Sequence, residues 1–192
     1  MKDLLDSMKH IKSEPPKDND EYRRYIANFA RAVMSQASEE DLEFARRTDT
    51  DELGPFIEYL LDHQITRNPE AVYSHIGRSD LDEFMDYIMS EKARYGLPRP
   101  FDLARQYKVV LPFEHGAQTA TCESYPSGHS AAAFYIAHLL SDQLLKGHPD
   151  RDRHRCELFN IANRIAWGRV CLGVHSIQDI KEGARLASLL FA

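Results

Sequence analysis

Three short groups of side chains have the types and spacing to hold an anion and move a proton at it. The middle group is Pro126-Ser127-Gly128-His129, ahead of the apolar run Ala131 to Leu140. Ser127 is a good N-cap for the orphan amides of the turn that follows. Gly128 lets a ligand approach the backbone, and a helix start with free N–H groups attracts anions. His129 sits where such an anion would receive a proton. Upstream, Lys92 and Arg99 pair a compact ammonium with a fork-shaped guanidinium, complementary ways of holding an oxyanion. Pro98 and Pro100 stiffen the chain on either side of Arg99. Downstream, His175 and Asp179 are spaced i, i+4 and share one helix face. A carboxylate there accepts from one imidazole nitrogen and leaves the other as a base or nucleophile. Arg169 lies one tight connection earlier and can return to the same pocket. Each group alone has a plain structural explanation: an ordinary helix start, surface charge at a helix end, a helix-stabilising pair. Their occurrence together, in order along one chain, favours a single anion pocket.

The elements that must position these groups read as helices. Tyr22, Ile26, Phe29, Ala30 and Val33 have helical spacing from Asn19 to about Gln36. Ser38-Glu39-Glu40-Asp41 opens a short helix, Thr50-Asp51-Glu52 a third, Asn68-Pro69 a fourth, and Ser79-Asp80-Leu81 a longer one ending near Tyr95-Gly96. An irregular stretch is expected from Leu97 to Tyr125, its Val109-Val110-Leu111 run too short for a sheet. A connection of that length in a compact domain is usually functional. The run after His129 is apolar almost all round, which places that helix at the centre. Two more helices follow, one broken by Gly173 and one starting near Ser176. The expected fold is an all-α, single-domain bundle of six to nine helices over residues 19–192, after a polar lead (1–18) of one or two helical turns.

Composition sets the bounds. Hydrophobic residues make up 43% and charged residues 28%, and the formal net charge is −6. A nucleic-acid partner is disfavoured, since it would call for a dominant basic face. No run approaches the roughly 18–20 apolar residues of a membrane span, so integral membrane association is not expected. Met1 to Lys12 has neither the apolar core nor the cleavage site of a signal peptide, and the expected location is the cytoplasm. Three cysteines without metal-ligand spacing read as reduced thiols, with Cys156 and Cys171 as small core residues and Cys122 as a possible site lining.

Lys92-x6-Arg99-Pro100, Pro126-Ser127-Gly128-His129 and Gly168-Arg169-x5-His175-x3-Asp179 together resemble the signature of the type-2 phosphatidic acid phosphatase superfamily. That group includes soluble bacterial acid phosphatases, vanadium-dependent haloperoxidases and membrane lipid phosphatases. Arg99-Pro100-Phe101, Ser124-Tyr125-Pro126 and Arg169-Val170-Cys171-Leu172-Gly173 look most like the soluble acid phosphatases. The resemblance runs from Lys92 to about Arg185, and the first ninety residues match nothing nameable.

The resemblance implies the acid phosphatase/haloperoxidase helical bundle and a metal-independent phosphomonoesterase acting on soluble phosphorylated small molecules. His175, oriented by Asp179, would attack phosphorus, and His129 would protonate the leaving group. Lys92, Arg99, Arg169, the Ser127 hydroxyl and the Gly128 amide would bind the phosphoryl oxygens. No metal or other cofactor is implied, vanadate being an inhibitor or, in the haloperoxidase reading, the prosthetic group. Related soluble enzymes often assemble into homo-oligomers. With His175 neutral and His129 protonated, a bell-shaped profile on the acidic side of neutrality is expected. The family has serine where this chain has Gly168, and loss of that hydroxyl should weaken oxyanion binding by about 1 kcal/mol. Three alternatives stay open: a haloperoxidase, a lipid phosphate or diphosphate phosphatase, and a weakened phosphate-binding relative in which Gly168→Ser restores activity. Glu114, His115 and Glu123 are further candidates near the leaving group. His138, His148 and His154 read as structural or surface residues, and no second Asp/His cluster suggests a divalent site.

Overall fold

Local sequence explains where the helices begin and stop. The computed structural model describes residues 13–77 and 79–192, and over these the regular structure is helical, with no strand. The helices are α1 (Asp20–Gln36), α2 (Glu39–Arg47), α3 (Gly54–Asp62), α4 (Pro69–Gly77), α5 (Leu81–Tyr95), α6 (Pro100–Gln106), α7 (Gly128–Gln143), α8 (Arg151–Cys171) and α9 (Ile177–Leu189). Side-chain caps start several of them: Asn19 accepts from the Tyr22 amide, Ser38 from Asp41 and Ser127 from Ser130. At α9, Ser176 and Asp179 form a reciprocal capping box. Gly96 ends α5 at φ +59°, and Gly173 follows α8 at φ +67°, left-handed positions that suit glycine.

Two expectations are corrected. The stretch 97–125 is not irregular throughout, because Pro100 opens the short helix α6 with proline at its first turn. Cys156 is exposed on α8, whereas Cys171 is buried as expected. Of the expected polar lead, residues 1–12 lie outside those described, and 13–19 carry no regular structure.

The central helix is α7. On one side Ala133, Ile136, Ala137 and Leu140 pack with Phe56 and Leu60 of α3 and Leu158, Ala162 and Ile165 of α8. On another, Ala131, Tyr135 and Leu139 meet Phe84 and Ile88 of α5 and Leu186 and Ala187 of α9. A helix clad in alanine on both faces lets neighbours approach closely, and it is apolar all round because it has neighbours all round.

Two glycines permit the contacts that shape the site. A β-carbon on Gly183 of α9 would lie 2.4 Å from the Ser127 carbonyl oxygen. Its absence lets α9 lie against the start of α7, where the Ser127 amide donates to Asp179 O (3.0 Å) and the Ser130 hydroxyl to Ile180 O (2.6 Å). A β-carbon on Gly168 of α8 would lie 2.9 Å from Ala45 Cβ and 3.2 Å from Ala45 Cα of α2. The glycine at 168 is therefore a packing requirement set by α2, not simply a missing hydroxyl. Gly168→Ser should lower stability by about 1–3 kcal/mol, the usual cost of overpacking, without raising turnover. Denaturant unfolding and steady-state rates check both parts, and a gain in activity would restore the weakened-relative reading.

Candidate active site

The starts of α7 and α9, joined where the Ser127 amide donates to Asp179 O, bring His129, His175 and Asp179 to the same end of the bundle. His175 is buried immediately before the α9 cap. Its Nδ1 lies 3.4 Å from Asp179 Oδ2 and 3.4 Å from the Ser124 hydroxyl, and its Nε2 lies 3.3 Å from an Arg99 amino group. Asp179 Oδ2 accepts from the Ser124 hydroxyl at 2.6 Å and from the Ser176 amide at 2.7 Å. These donors, with His175, hold the carboxyl below its ordinary range against the opposing effect of burial. Burial pushes His175 down to about 3, opposed by its Asp179 bond and reinforced by Lys92 and Arg99. His175 is thus a neutral imidazole at any pH near neutrality, backed at Nδ1 and turned at Nε2 toward the cations.

Those cations come from the end of α5 and the start of α6. Lys92 is 2% exposed, and its ammonium donates to the carbonyls of Glu123 (2.6 Å) and Ser124 (3.1 Å). Burial lowers it to about 8. Arg99, 4% exposed, donates to the carbonyls of Cys122 (2.7 Å) and Val174 (3.0 Å), with the Cys122 thiol 3.7 Å from its other amino group. Both are therefore buried cations held by neutral acceptors. The third cation differs. Arg169, 1% exposed on α8, donates to Asp49 Oδ1 at 2.6 Å and to the Ala45 carbonyl, while its buried Nε has no partner among the described residues.

Asp49 was not singled out in the sequence, yet it organises this side of the pocket. Its carboxylate also accepts from the Gln118 amide (2.5 Å) and from the Thr119 amide (3.2 Å) and hydroxyl (2.6 Å). One residue from the α2–α3 connection thus ties α8 to the long 107–127 segment. Glu52, three residues on, brings Oε1 to 3.3 Å from His129 Nε2, and burial pushes its carboxyl up to about 8. His129 Nε2 also meets the Asp49 carbonyl at 3.1 Å and an Arg169 amino group at 3.3 Å. Protonated, that nitrogen serves the two oxygens; neutral, it accepts from Arg169. Burial, then Arg169, pushes His129 down to about 4. The expected profile on the acidic side of neutrality therefore stands, and burial of the phosphate-free His129 shifts its alkaline limb to lower pH.

Arg99, His175 and Asp179 meet directly, with Lys92 anchored on the adjacent Ser124, while His129 and Arg169 meet beside Asp49; the His175 amide, donating to Arg169 O (3.3 Å), joins the two groups. Ser127 is fully buried with its oxygen occupied by the Ser130 amide at 3.3 Å, so its main structural work is the cap. Gly128 keeps space open beside Met85 and Lys92, whose carbons would lie 3.4 and 4.0 Å from an added β-carbon. His115 stacks on Phe101 at 4.3 Å and accepts the Ala117 amide at 3.0 Å, and Glu123 takes part through its carbonyl. Cys122 does line the site. Ser124 was quoted only for its place in a motif. Its hydroxyl contacts with Asp179 and His175 depend on tertiary placement.

The PAP2 superfamily model matches residues 82–192, more than half of the chain. The chain belongs to the PAP2 superfamily. It is a phosphatase of that group, whose phosphatases in general act without a metal ion. Among solved structures, a transmembrane PAP2-type phosphatidylglycerolphosphate phosphatase from Bacillus subtilis is similar in fold, with a TM-score of 0.51 and 19% identity, covering 98% of this chain and 88% of that one. No curated protein matches the chain. Among the described residues of this PAP2 chain, no helix is long and apolar enough to cross a membrane.

Proposed function

We propose that this PAP2 phosphatase is a metal-independent phosphomonoester hydrolase that works through a phosphohistidine at His175 on soluble phosphorylated small molecules. The observation that carries the reading is the charge of the pocket. Lys92 and Arg99 are buried without a carboxylate partner among the described residues; Arg99 meets His175 Nε2, and Lys92 is held on the backbone of Ser124, whose hydroxyl faces the same imidazole. Buried cations call for an anion to compensate them, and a phosphoryl group placed there has its phosphorus in front of the imidazole. The unpartnered Nε of Arg169 is one more donor for its oxygens.

The steps follow from these positions. The Nε2 lone pair of His175 attacks phosphorus while the bond to the leaving oxygen breaks, and Asp179 stabilises the cationic imidazole that forms. His129 gives its proton to the departing oxygen. A water then attacks the phosphohistidine and surrenders a proton to His129, and inorganic phosphate leaves with His175 restored. Lys92, Arg99 and Arg169 stabilise the charge on the equatorial oxygens throughout, which is most of what phosphoryl transfer asks of a protein. Vanadate, which mimics that geometry, should inhibit.

Hydrolysis of p-nitrophenyl phosphate in EDTA, measured across pH, tests the reading. The free enzyme needs His175 neutral, above about pH 3, and His129 protonated, below about pH 4. As pH rises through the His129 value, kcat/KM should therefore fall. A bound phosphoryl anion favours the imidazolium, so the alkaline limb of kcat should lie higher. Full loss of activity in EDTA, or a kcat/KM that climbs toward alkaline pH, would contradict the assignment.

A lipid phosphate is the second reading, and a specific feature favours it. A groove of about 510 Å³ begins two residues from Arg99, with Phe101, Val109, Leu111 and Phe113 on its apolar side and Arg105, Glu114 and His115 on its polar side. It would suit an apolar leaving group like that of the lipid phosphate acted on by the Bacillus subtilis protein. Faster turnover of phosphatidylglycerolphosphate in vesicles than of p-nitrophenyl phosphate would select it.

A further inference from the structure

At the end of α8 remote from Arg169 lies a second cluster of chemistry-bearing side chains. His148, Asp150 and His154 bring one ligand atom each within 4.8 Å of one another. His154 is buried, His148 half-buried and Asp150 exposed, so the group opens to solvent on one side. The rings of His148 and His154 stand 4.8 Å apart and nearly perpendicular, and that of His63, the C-cap of α3, is 5.7 Å from His154.

The supporting contacts are those of a ligand set. The Tyr59 hydroxyl lies 2.7 Å from His154 Nδ1, and the Tyr59 carbonyl lies 3.0 Å from His63 Nδ1. An Nδ1–H donating to oxygen fixes the tautomer that leaves Nε2 as a lone pair, the usual outer support of a metal-bound histidine. His154 Nε2 has no hydrogen-bond partner among the described residues. His148 accepts the Asp150 amide at 3.2 Å through Nδ1, and ligation through that atom exchanges the amide for the ion.

We propose that His148, Asp150 and His154 form a site for a divalent transition metal of the zinc class, with water completing a tetrahedron. Two imidazoles and a carboxylate suit Zn²⁺ and do not suit the all-oxygen preference of Mg²⁺ or Ca²⁺. The role is structural. Fifteen residues of α8 separate His154 from Arg169, about 22 Å along the helix, so the ion takes no part in phosphoryl transfer. It ties the connection before α8 to the first turn of that helix, and the Tyr59 hydroxyl on His154 couples the site to α3. The sequence reading missed this cluster because i, i+2, i+6 across a helix start matches no common ligand spacing.

The test is Co²⁺ titration of the metal-stripped full chain, read by visible absorption, beside Zn²⁺-dependent melting. One equivalent of Co²⁺ should bind with the spectrum of a nitrogen/oxygen site, and Zn²⁺ should raise the melting temperature as its concentration rises. His148→Ala should abolish both effects, and Tyr59→Phe should weaken affinity by roughly 10–100-fold through loss of the support on His154. Asp150→Asn, at an exposed position, repeats the test should His148→Ala fold poorly. Cys156→Ser should bind normally, and phosphatase turnover should be the same with and without Zn²⁺. Absence of stoichiometric binding, survival of binding in the ligand variants, or its loss in Cys156→Ser would overturn the site.

Discussion

His175→Ala should abolish turnover, lowering kcat by roughly 10⁴–10⁶-fold as removal of a nucleophile does elsewhere, while the protein stays folded and still binds phosphate. The geometry separates these effects. His175 contributes Nε2 to the pocket, whereas Lys92, Arg99 and Arg169 keep their own backbone or carboxylate anchors without it. Asp179→Asn should be nearly as severe in rate but different in stability. Asp179 accepts from Ser124 and Ser176 as well as facing His175, so it holds the α9 start and the nucleophile together. Steady-state kinetics with denaturant unfolding as the folding control would measure both. An alanine variant with more than about 1% of wild-type kcat would exclude His175 as nucleophile, since general acid help alone is worth about 10²–10⁴.

Asp49→Ala should be the most destabilising single change near the site. Asp49 is buried against an equally buried Arg169 at 2.6 Å and also takes two amides and a hydroxyl from residues 118–119. Its removal leaves an uncompensated guanidinium in the interior, a change that typically costs about 3–5 kcal/mol. Inorganic phosphate should recover part of that loss, because its charge can take the place of the carboxylate beside Arg169. Turnover should fall, since Arg169 and the 118–119 segment both lose their anchor. Unfolding curves with and without phosphate give the numbers. A loss below about 1 kcal/mol, the range of an exposed ion pair, would mean that Asp49 is not the partner that fixes Arg169.

What could be read in the sequence divides along physical lines. Helix starts and stops were legible where they are local events: Ser38, Ser127 and Ser176 cap the turns that follow them, and Gly96 and Gly173 end theirs. The six motif side chains were legible because their chemistry is unusual at that spacing. Asp49 and Glu52 were not. They lie in a helix connection, and Asp49 stands 120 residues from the arginine it holds; only packing of α2 and α3 over α8 brings them in. The packing role of Gly168 was out of reach for the same reason, its neighbour being Ala45 on another helix. Segment 19–90, which resembled nothing, supplies one wall of the pocket through these residues. The low proton affinity of His129 likewise depends on burial and on Arg169, neither of which a local pattern contains.

The most direct measurement of the central claim is rapid acid-free quenching during turnover of a labelled phosphomonoester, followed by peptide mapping by mass spectrometry under alkaline conditions. A phosphoramidate is stable to base and labile to acid, so the intermediate should survive this work-up. The account predicts a phosphoryl group on the peptide containing His175, formed and lost at rates that accommodate kcat, and accumulating further in His129→Ala with p-nitrophenyl phosphate, whose leaving group departs without acid help while hydrolysis slows. Phosphate found on another residue, or turnover with no trapped phosphoenzyme in either protein, would contradict it.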